Sequence, residues 1–522
     1  MNVRLLPISV IAAVALALPA SAHAVLAAPA QQSLRVAIGA RIPVTALDPM
    51  RTANSDVVTV QNAFLAPLYY VGPRGVQPQL AAGAPVMSNR GKRYTVRLRT
   101  NARWSDGSPV VAKNVVQAFN RSRKVNYFGG FASHVKKVSM PNARTIVFDL
   151  SVADATFPTL LALPIFTPVP SHVIARAKTA WTKPGSLVSS GPFVLKAATS
   201  KQLSTVRNPR FWGAKAVKLQ RLAFVTTGGS TVNFAADKLD ATAPYAARAE
   251  SLRTLEGSGI KLTAAPSADT QYAYLNTTNV RLRSSKVRRG IALALNRNAL
   301  LPDPSLSALS TFLSPSMTGG SYATSGPTLL KTDGSADIAA ATAELAAGGW
   351  NNANVLNLYH VTGSAPALTV AEGIKTQLAA VGVTVVLNAV PGSQLSKVGY
   401  GVSPIRADVD IVLQGWIPDY ADPANVYALM SCHEVKNGFN VSNYCNQQYD
   451  TAYYRLFTNF GFTKRLADFR ILEQRLTGPT GSFPVVPLYT QRYLTAAQPW
   501  VRGYSVDPYG MVRWDRVVID KH

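Results

Sequence analysis

Apolar and polar residues alternate along this chain with two different periods, and these periods predict strands and helices. Residues 94–99, YTVRLR, alternate with a period of two, which is typical of a strand with one buried face. Val111, Val115 and Phe119 recur every four residues and predict one face of a helix. Three further segments are predicted strands: residues 34–40, 145–150 and 189–197.

Helix and strand signals alternate most clearly in the last third of the chain. A helix is predicted over 365–382, where a glycine ends it, and a strand follows at 383–388. A second strand is predicted at 408–414, and residues 424–430 have a helical pattern. This alternation indicates an α/β fold with a largely parallel sheet.

The densest basic run, residues 281–290, also fits a helix. Ser284 or Ser285 can cap its first turn. Three residues form its predicted buried stripe: Val287, Ile291 and Leu295. Three arginines are predicted to lie on the solvated surface instead: Arg288, Arg289 and Arg297.

The first 24 residues have the pattern of a secretory signal peptide. Arg4 gives a positive start, Ile8–Leu18 is an apolar core, and residues 22–24, AHA, form a cleavage site. The apolar core is too short to span a bilayer, and no cysteine near the cut marks a lipoprotein. The mature chain is therefore expected to be exported to the periplasm.

Length and composition indicate a globular protein with at least two domains. A chain of 522 residues exceeds what one hydrophobic core usually holds. Its residues are 47% apolar and 15% charged, which is typical of folded rather than disordered proteins.

The charge is strongly positive, with 53 Lys+Arg against 26 Asp+Glu and a formal net charge of +27. A polyanion or nucleic-acid partner is one explanation. A solvated, like-charged surface suited to the compartment is the other, and it is favoured because the basic residues are scattered. We therefore expect no nucleic-acid partner.

The chain has two cysteines, Cys432 and Cys445. In an exported protein such a pair predicts a structural disulfide. A redox-active or metal-binding pair is the alternative, but such pairs usually have closer spacing.

Motifs for metal, nucleotide and hydrolase chemistry are missing from the sequence. The five histidines beyond the signal peptide are scattered: His134, His172, His360, His433 and His522. There is no G-x-S-x-G elbow, P-loop or G-x-G-x-x-G motif. Neither a cofactor nor a metal site is predicted.

Residues 415–427, GWIPDYADPANVY, carry two aspartates and no basic residue. Asp419 and Asp422 are close enough in sequence to act as an acid/base pair, as in glycosidases. Asp422, however, precedes a proline and a helical segment, which predicts a helix cap. Asp419 follows the C-terminal end of a strand, where open α/β sheets bind ligands. Between Trp416 and Tyr420 it suits a cationic group, although an aspartate that only stabilises its own loop is the alternative.

Several stretches, taken in order, resemble the dipeptide/oligopeptide-binding family of ABC-importer solute-binding proteins. They cover nearly the whole mature chain. The stretches are RWSDGSPVVAKNVVQAFNR (103–121), SSGPFVL with VRNPRFW (189–212), YAYLNTTNVRLRSSKVRRGIALALNRNAL (272–300), and GWIPDYADPANVYALMSC with SNYC and FPVVPLYTQ (415–491).

This resemblance implies two α/β lobes joined by a hinge, with ligand enclosed between them. The first lobe would comprise 25–268, with an extra subdomain at about 70–188, and would be completed by 485–522. The second lobe, 269–484, would be inserted between these parts. Family members are not enzymes, so the chain is expected to be a monomer that delivers its solute to an ABC-importer permease.

The resemblance also implies roles for individual residues. The aspartate of the W-x-x-D-[YN] motif binds the ligand's α-ammonium group, and that position is Asp419. Gly415 and Trp416 fall where family members contact the peptide backbone and line a side-chain pocket. Thr45 and Tyr489 match first-lobe positions that often face the cleft.

The chain departs from the family at the carboxylate end of the ligand. Dipeptide binders place an arginine before the A-E-x-I-Q helix, and here His360 is the nearest titratable group. Oligopeptide binders often place one in the strand before Gly-Trp, where this chain has Leu413. The ligand could therefore be a longer peptide, a modified peptide, or an amine-bearing solute without a free carboxylate.

Three other functions are weaker expectations. The same fold could bind a nickel chelate, haem, an opine or glutathione, since the family includes such members. A secreted carboxylate-pair hydrolase and a polyanion-binding envelope protein are the remaining alternatives.

Overall fold

The computed structural model describes residues 32–520, apart from a few short gaps. The gaps are 52–53, 73–74, 126–128, 229–231, 245, 247–248, 304–305, 318–326 and 400–407. The predicted signal peptide, 1–24, lies outside the described residues. Among the helices of the described part, none is long and apolar enough to cross a bilayer.

One mixed sheet of eleven strands forms the framework. In spatial order its strands are β15 (Thr384–Val390), β14 (Val355–Val361), β16 (Ile411–Trp416), β12 (Lys261–Leu275), β17 (Val485–Ala497), β11 (Ala241–Thr242), β1 (Ser33–Ile38), β10 (Arg221–Thr226), β9 (Gln202–Arg207) and β8 (Phe193–Ala198), with β13 (Ser307–Ala308) beside β17. Strand β14 pairs in parallel with β15 and β16, as the helix–strand alternation predicts, and β1 pairs in parallel with β10 and β11. The other six pairings are antiparallel, so the prediction of a largely parallel sheet was wrong for the sheet as a whole, because β12 and β17 cross it antiparallel to their neighbours.

Three small sheets complete the strands of the described part. The largest has the order β4 (Val86–Ser88), β5 (Arg93–Arg97), β7 (Thr145–Leu150) and β6 (Val135–Asn142). The two others are the pairs β2 (Tyr69–Gly72) with β3 (Gly75–Pro78), and β18 (Val501–Arg502) with β19 (Val518–Ile519).

The helices cover these sheets, and several begin at a residue whose side chain caps the first turn, although the predicted cap Ser284 forms no such hydrogen bond. They are α1 (Ser55–Phe64), α2 (Ala112–Val125), α3 (Phe157–Leu160), α4 (Ser171–Ala177), α5 (Ala249–Arg253), α6 (Ser285–Leu293), α7 (Ile338–Ala347), α8 (Ala365–Ala379), α9 (Gly392–Gly399), α10 (Pro423–Tyr427), α11 (Cys432–Asn437), α12 (Gln447–Thr458) and α13 (Phe462–Thr477). In α2, Val115 and Phe119 are buried as their spacing predicts. In α8, the Ser364 side chain accepts a hydrogen bond from the Ala367 N–H.

Buried apolar residues divide into groups that define two lobes. One core draws on residues between 34 and 262 and between 494 and 519, and we call the part built around it the first lobe. Two further cores draw on residues between 268 and 489 and form the second lobe. The exact boundaries at 268 and 484 stay a prediction.

Two arginines correct the prediction of a solvated basic surface on α6. Arg288 is 5% exposed and Arg297 is 1% exposed. The Arg288 Nε donates to the carbonyl of Ser482 (2.8 Å), and its Nη1 to that of Leu282 (2.6 Å). Arg297 donates from Nη2 to the carbonyl of Lys331. The prediction was wrong because these cations satisfy buried carbonyls, although burial lowers the pKa of each to about 10.

Cys432 and Cys445 form the predicted disulfide. The bond connects the first residue of α11 to the segment just before α12. It therefore fixes the chain that follows α10.

A buried glutamate connects the elements behind α10. The Glu473 carboxylate accepts hydrogen bonds from the N–H groups of Phe312 (2.9 Å) and Leu313 (2.8 Å). It also accepts from the hydroxyls of Tyr427 (2.9 Å) and Thr477 (3.2 Å). Burial raises its pKa, and the hydrogen bonds oppose that rise. Helix α13 thus holds the last residue of α10 in place.

Glu473→Gln should destabilise the protein, because an amide puts an NH2 donor where the four N–H and O–H donors need an acceptor. We expect the free energy of unfolding in urea to fall by about 2 kcal/mol. Glu372→Gln, at an exposed position on α8, is the matched control and should change it by less than about 0.5 kcal/mol. Equal effects of the two substitutions would contradict this role.

Candidate functional site

The acidic stretch found in the sequence becomes a loop between β16 and α10. Asp422 caps α10: its Oδ1 accepts from the Ala424 N–H (3.0 Å), and Pro423 begins the helix. The same oxygen contacts the Arg465 Nη2 at 2.6 Å. The cap prediction is confirmed, and a carboxylate engaged in this way does not suit an acid/base pair with Asp419.

Asp419 is held by Asn425, in the first turns of the same helix. The Asn425 Nδ2 donates to the Asp419 Oδ2 (3.1 Å), while its Oδ1 accepts from the Asp419 N–H (2.9 Å). That Oδ1 also accepts from the Trp416 Nε1 (3.2 Å). One amide side chain therefore fixes the carboxylate relative to the end of β16.

Burial raises the pKa of Asp419 to about 6, and the hydrogen bond from Asn425 opposes the rise. No ion pair within the described part of the chain involves this carboxylate. Its charge is therefore poorly compensated near neutral pH, although the chain as a whole is strongly basic.

Asp419 lines a cavity of about 360 Å³ between the lobes. The second lobe supplies residues 417–421 of the wall. The first lobe supplies α1, the segments 65–71 and 159–167, and the C-terminal segment 507–515. Five aromatic side chains contribute to this wall: Tyr69, Tyr70, Tyr420, Tyr509 and Trp514.

The charged side chains in the wall are mostly acidic. Besides Asp419 they include Asp507, Arg513 and Asp515. Arg513 donates two hydrogen bonds to the Asp515 carboxylate (2.8 and 2.7 Å), and its guanidinium carbon lies 4.1 Å from the centre of the Tyr70 ring. Burial raises the pKa of Asp507 to about 7. Since Arg513 is compensated by Asp515, the wall has a net preference for positive charge.

The two lobes touch beside this cavity. The rings of Tyr420 and Phe131 meet edge to face with their centres 5.8 Å apart. The Ala155 N–H donates to the Phe457 carbonyl (2.8 Å). Gly91 has a positive φ of 79°, and a Cβ there would lie 2.0 Å from the Phe460 ring. The two lobes are therefore in direct contact beside the cavity.

Of the predicted site residues, Asp419 and Tyr420 lie together in the cavity wall. Gly415 and Trp416 end β16, adjacent to the loop, but are not part of that wall. A Cβ on Gly415 would lie 2.0 Å from the Gln271 Nε2 of the neighbouring strand, so a larger residue here would have to displace that flexible side chain. Their roles in ligand binding stay predictions.

The three remaining candidates also lie outside the wall. Tyr489 is buried on β17 and pairs in register with Gln271 of β12. Thr45 is exposed. His360 is buried on β14, where its Nδ1 lies 3.2 Å from the Val361 carbonyl. The structure thus does not bring them to Asp419.

Sequence reasoning missed Asn425 and the C-terminal part of the wall. Asn425 lies six residues after Asp419, and a polar residue in the first helical turn was the signal that could have identified it. Arg513 and Asp515 are separated by one residue and match no motif. Their position at the cavity follows only from the return of the chain to the first lobe.

Asp419→Asn should stabilise the unliganded protein at pH 7.5. The folded-state pKa of about 6 exceeds the ordinary value of 3.8, so the ionised carboxylate opposes folding above pH 6. We expect the variant to unfold in urea with a free energy higher by on the order of 1 kcal/mol. The difference should shrink as the pH falls to about 4, because wild-type Asp419 is then protonated in the folded state and the ionised form no longer opposes folding. A constant difference across this range would contradict the assignment.

Comparisons with known proteins agree on one family. The model of the middle region of bacterial extracellular solute-binding proteins, family 5, matches residues 75–437. The probable deoxycholate-binding periplasmic protein YgiS of Escherichia coli K12 is 25% identical over 91% of this chain and 92% of its own. The periplasmic murein peptide-binding protein MppA of the same strain is 24% identical over 83% of this chain and 84% of its own.

Solved structures show the same two-lobed fold. The unliganded open form of MppA superposes with a TM-score of 0.79 at 22% identity, covering 94% of this chain and 98% of that one. The dipeptide-binding protein of Pseudoalteromonas sp. SM9913, in complex with Met-Leu, gives 0.71 at 19% identity, covering 94% and 100%. Because the family model spans well over half of the sequence, the chain belongs to the bacterial extracellular solute-binding proteins of family 5.

Proposed function

We propose that this protein captures peptides, or similar amine-bearing solutes, between its lobes and delivers them to an ABC-importer permease. It would act in the periplasm as a monomer after removal of residues 1–24. The proposal assigns Asp419 as the residue that binds the ligand's ammonium group.

One observation carries this proposal: a half-buried carboxylate lines the cavity between the lobes and forms no ion pair within the described part of the chain. Burying a charge without a partner is costly, and a ligand cation is the group that would compensate it. The pKa of about 6 keeps Asp419 mostly ionised at neutral pH, when a peptide α-amino group is largely charged.

The surroundings of Asp419 support the same ligand chemistry. Asn425 orients the carboxylate before ligand arrives, so little conformational freedom is lost on binding. Tyr420 in the same wall offers an aromatic ring for cation–π contact. Relatives named as murein-peptide and dipeptide binders show that the family includes proteins for such ligands.

The cavity also limits what the rest of the ligand can be. About 360 Å³ is at the small end of ligand pockets, which favours a short peptide. Arg513 is the cation in the wall, but its two strongest donors already serve Asp515. A free ligand carboxylate therefore contributes less to binding than the amine does.

The same residues argue against hydrolysis in this cavity. The Asp422 carboxylate caps α10 and pairs with Arg465, so it is not a second catalytic carboxylate for Asp419. Binding without turnover is consistent with a family of binding proteins.

Isothermal titration calorimetry with matched tripeptides tests the assignment at pH 7.5. N-acetylation should weaken binding at least about 100-fold, because it removes the cation that compensates Asp419 and leaves that carboxylate buried without a partner. C-terminal amidation should change affinity by less than about tenfold. Asp419→Asn should reduce affinity for the free-amine peptide to the level of the acetylated one.

Glu372→Gln removes one negative charge from the exposed surface of the same lobe and should bind peptide as wild type does. Equal affinity of Asp419→Asn and wild type would disprove the ammonium role. If deoxycholate, which has no amine, binds wild type while peptides do not, the peptide proposal fails and the family assignment stands.

Affinity for a free-amine peptide should also depend on pH. Since the ionised form of Asp419 binds the ammonium, affinity should be constant near pH 7 and fall up to tenfold per unit below about pH 6. Titrations between pH 4.5 and 7.5 measure this slope. The Asp419→Asn variant should show a flat profile, and a wild-type profile equally flat would contradict the proposal.

A further inference from the structure

The net positive charge is concentrated in one lobe. Residues 25–268 and 485–522 contain 36 Lys+Arg and 12 Asp+Glu, whereas 269–484 contain 16 and 14. Both lobes are exposed to the same compartment. A general adaptation to that compartment would therefore affect both lobes, so the asymmetry needs a cause specific to the first lobe.

The basic residues of the first lobe lie at its surface. Within the described part of these two segments, 27 Lys and Arg are exposed, compared with 3 Asp and Glu. The corresponding numbers for 269–484 are 9 and 3. The excess is therefore available to an external partner and is not used inside the fold.

The outer face of the four-stranded sheet gathers part of this charge. Arg93 of β5 lies opposite Asp149 of β7, which lies opposite Lys137 of β6, so the three form one row across the sheet. Arg93 contacts Asp149 at 2.6 Å, which leaves Lys137 as the uncompensated charge of this row. Arg97 continues the same face of β5, and Lys136 is exposed beside Lys137. We call this set of exposed cations on β5 and β6, with Lys92 just before β5, the basic sheet face.

The composition around the basic sheet face favours a bilayer over a nucleic acid. The exposed large apolar residues of the first lobe, among those described, are Val86, Met87, Met140 and Val152. None is aromatic, so the base-stacking platform of single-strand binders is missing from the described surface. Val86 and Met140 lie on the two edge strands of this sheet, 63% and 47% exposed, beside the basic residues. Basic residues next to exposed apolar side chains suit the headgroup region of a membrane.

We propose that the first lobe docks through the basic sheet face on an anionic lipid bilayer, where Lys and Arg contact lipid phosphates. Charge complementarity identifies the partner, and the nearly neutral second lobe would remain away from that surface. The second lobe, which carries Asp419, could then move relative to the membrane-bound first lobe. None of the basic residues of this surface lines the ligand cavity, and the proposal does not depend on which solute is bound.

Co-sedimentation of residues 25–522 with lipid vesicles tests this. The protein should bind vesicles containing about 30% phosphatidylglycerol, should not bind pure phosphatidylcholine vesicles, and should be released by 0.5 M NaCl because salt screens such contacts. The test variant carries four reversals on the basic sheet face: Lys92→Glu, Arg97→Glu, Lys136→Glu and Lys137→Glu. Its vesicle affinity should fall at least tenfold, since one basic residue near an anionic surface contributes about fivefold.

The control variant makes the same change in net charge on the second lobe. Its four reversals are at exposed lysines: Lys286→Glu, Lys375→Glu, Lys397→Glu and Lys436→Glu. It should keep at least half of the wild-type vesicle affinity. Unchanged circular dichroism would show that both variants are folded. Unchanged ligand-induced thermal shifts would show that ligand binding in the cavity does not depend on the substituted surface residues.

Three results would overturn the proposal. They are equal binding of the wild type to neutral and anionic vesicles, an equal loss of vesicle affinity in the test and control variants, and binding to soluble heparin without binding to vesicles. The last would indicate a polyanion in solution as the partner of the first lobe.

Discussion

The pairing of β12 with β17 is the constraint on which the rest of the structure depends. These two long strands contact both lobes, and their register shifts between Pro266 and Thr270, where one core gives way to the next. The Thr490 hydroxyl lies 3.0 Å from the carbonyls of both Ser267 and Asp269, so it supports this irregularity. Because β17 leads back into the first lobe, residues after 497 can reach the cavity that the inserted lobe closes.

A basic protein can still present an acidic cavity because distance and burial act differently on charges. Exposed lysines and arginines are screened over about 10 Å of salt solution, so they affect a buried group weakly. Asp419 and Asp507 lie in a poorly solvated wall, where their own desolvation dominates and raises the pKa of each. The net charge of the chain therefore reflects the outer surface of the first lobe, whereas the preference of the cavity for a positively charged group is set by a few carboxylates.

The sequence predicted what depends on neighbours along the chain. The strands near 94 and 145, the burial of Phe119 and the cap at Asp422 all follow from local periodicity or local hydrogen bonding. Contacts between distant segments were not predictable in this way. Arg288 satisfies a carbonyl 194 residues away, and Tyr420 meets Phe131 across the two lobes. No spacing rule encodes such contacts, because they depend on how complete lobes pack.

Asp419 and Tyr420 are adjacent, so the proposed ammonium site and a contact between the lobes lie on one loop. The contact of Tyr420 with Phe131 brings this loop against the first lobe, and burial raises the pKa of the neighbouring Asp419. Bringing the two lobes together over an ionised Asp419 costs on the order of 1.4 kcal/mol of free energy for each pH unit by which its pKa rises. Under the proposed function, a ligand ammonium would offset that cost, whereas an empty cavity would not. The carboxylate proposed to select the ligand would then also make closure of the lobes conditional on the ligand's presence.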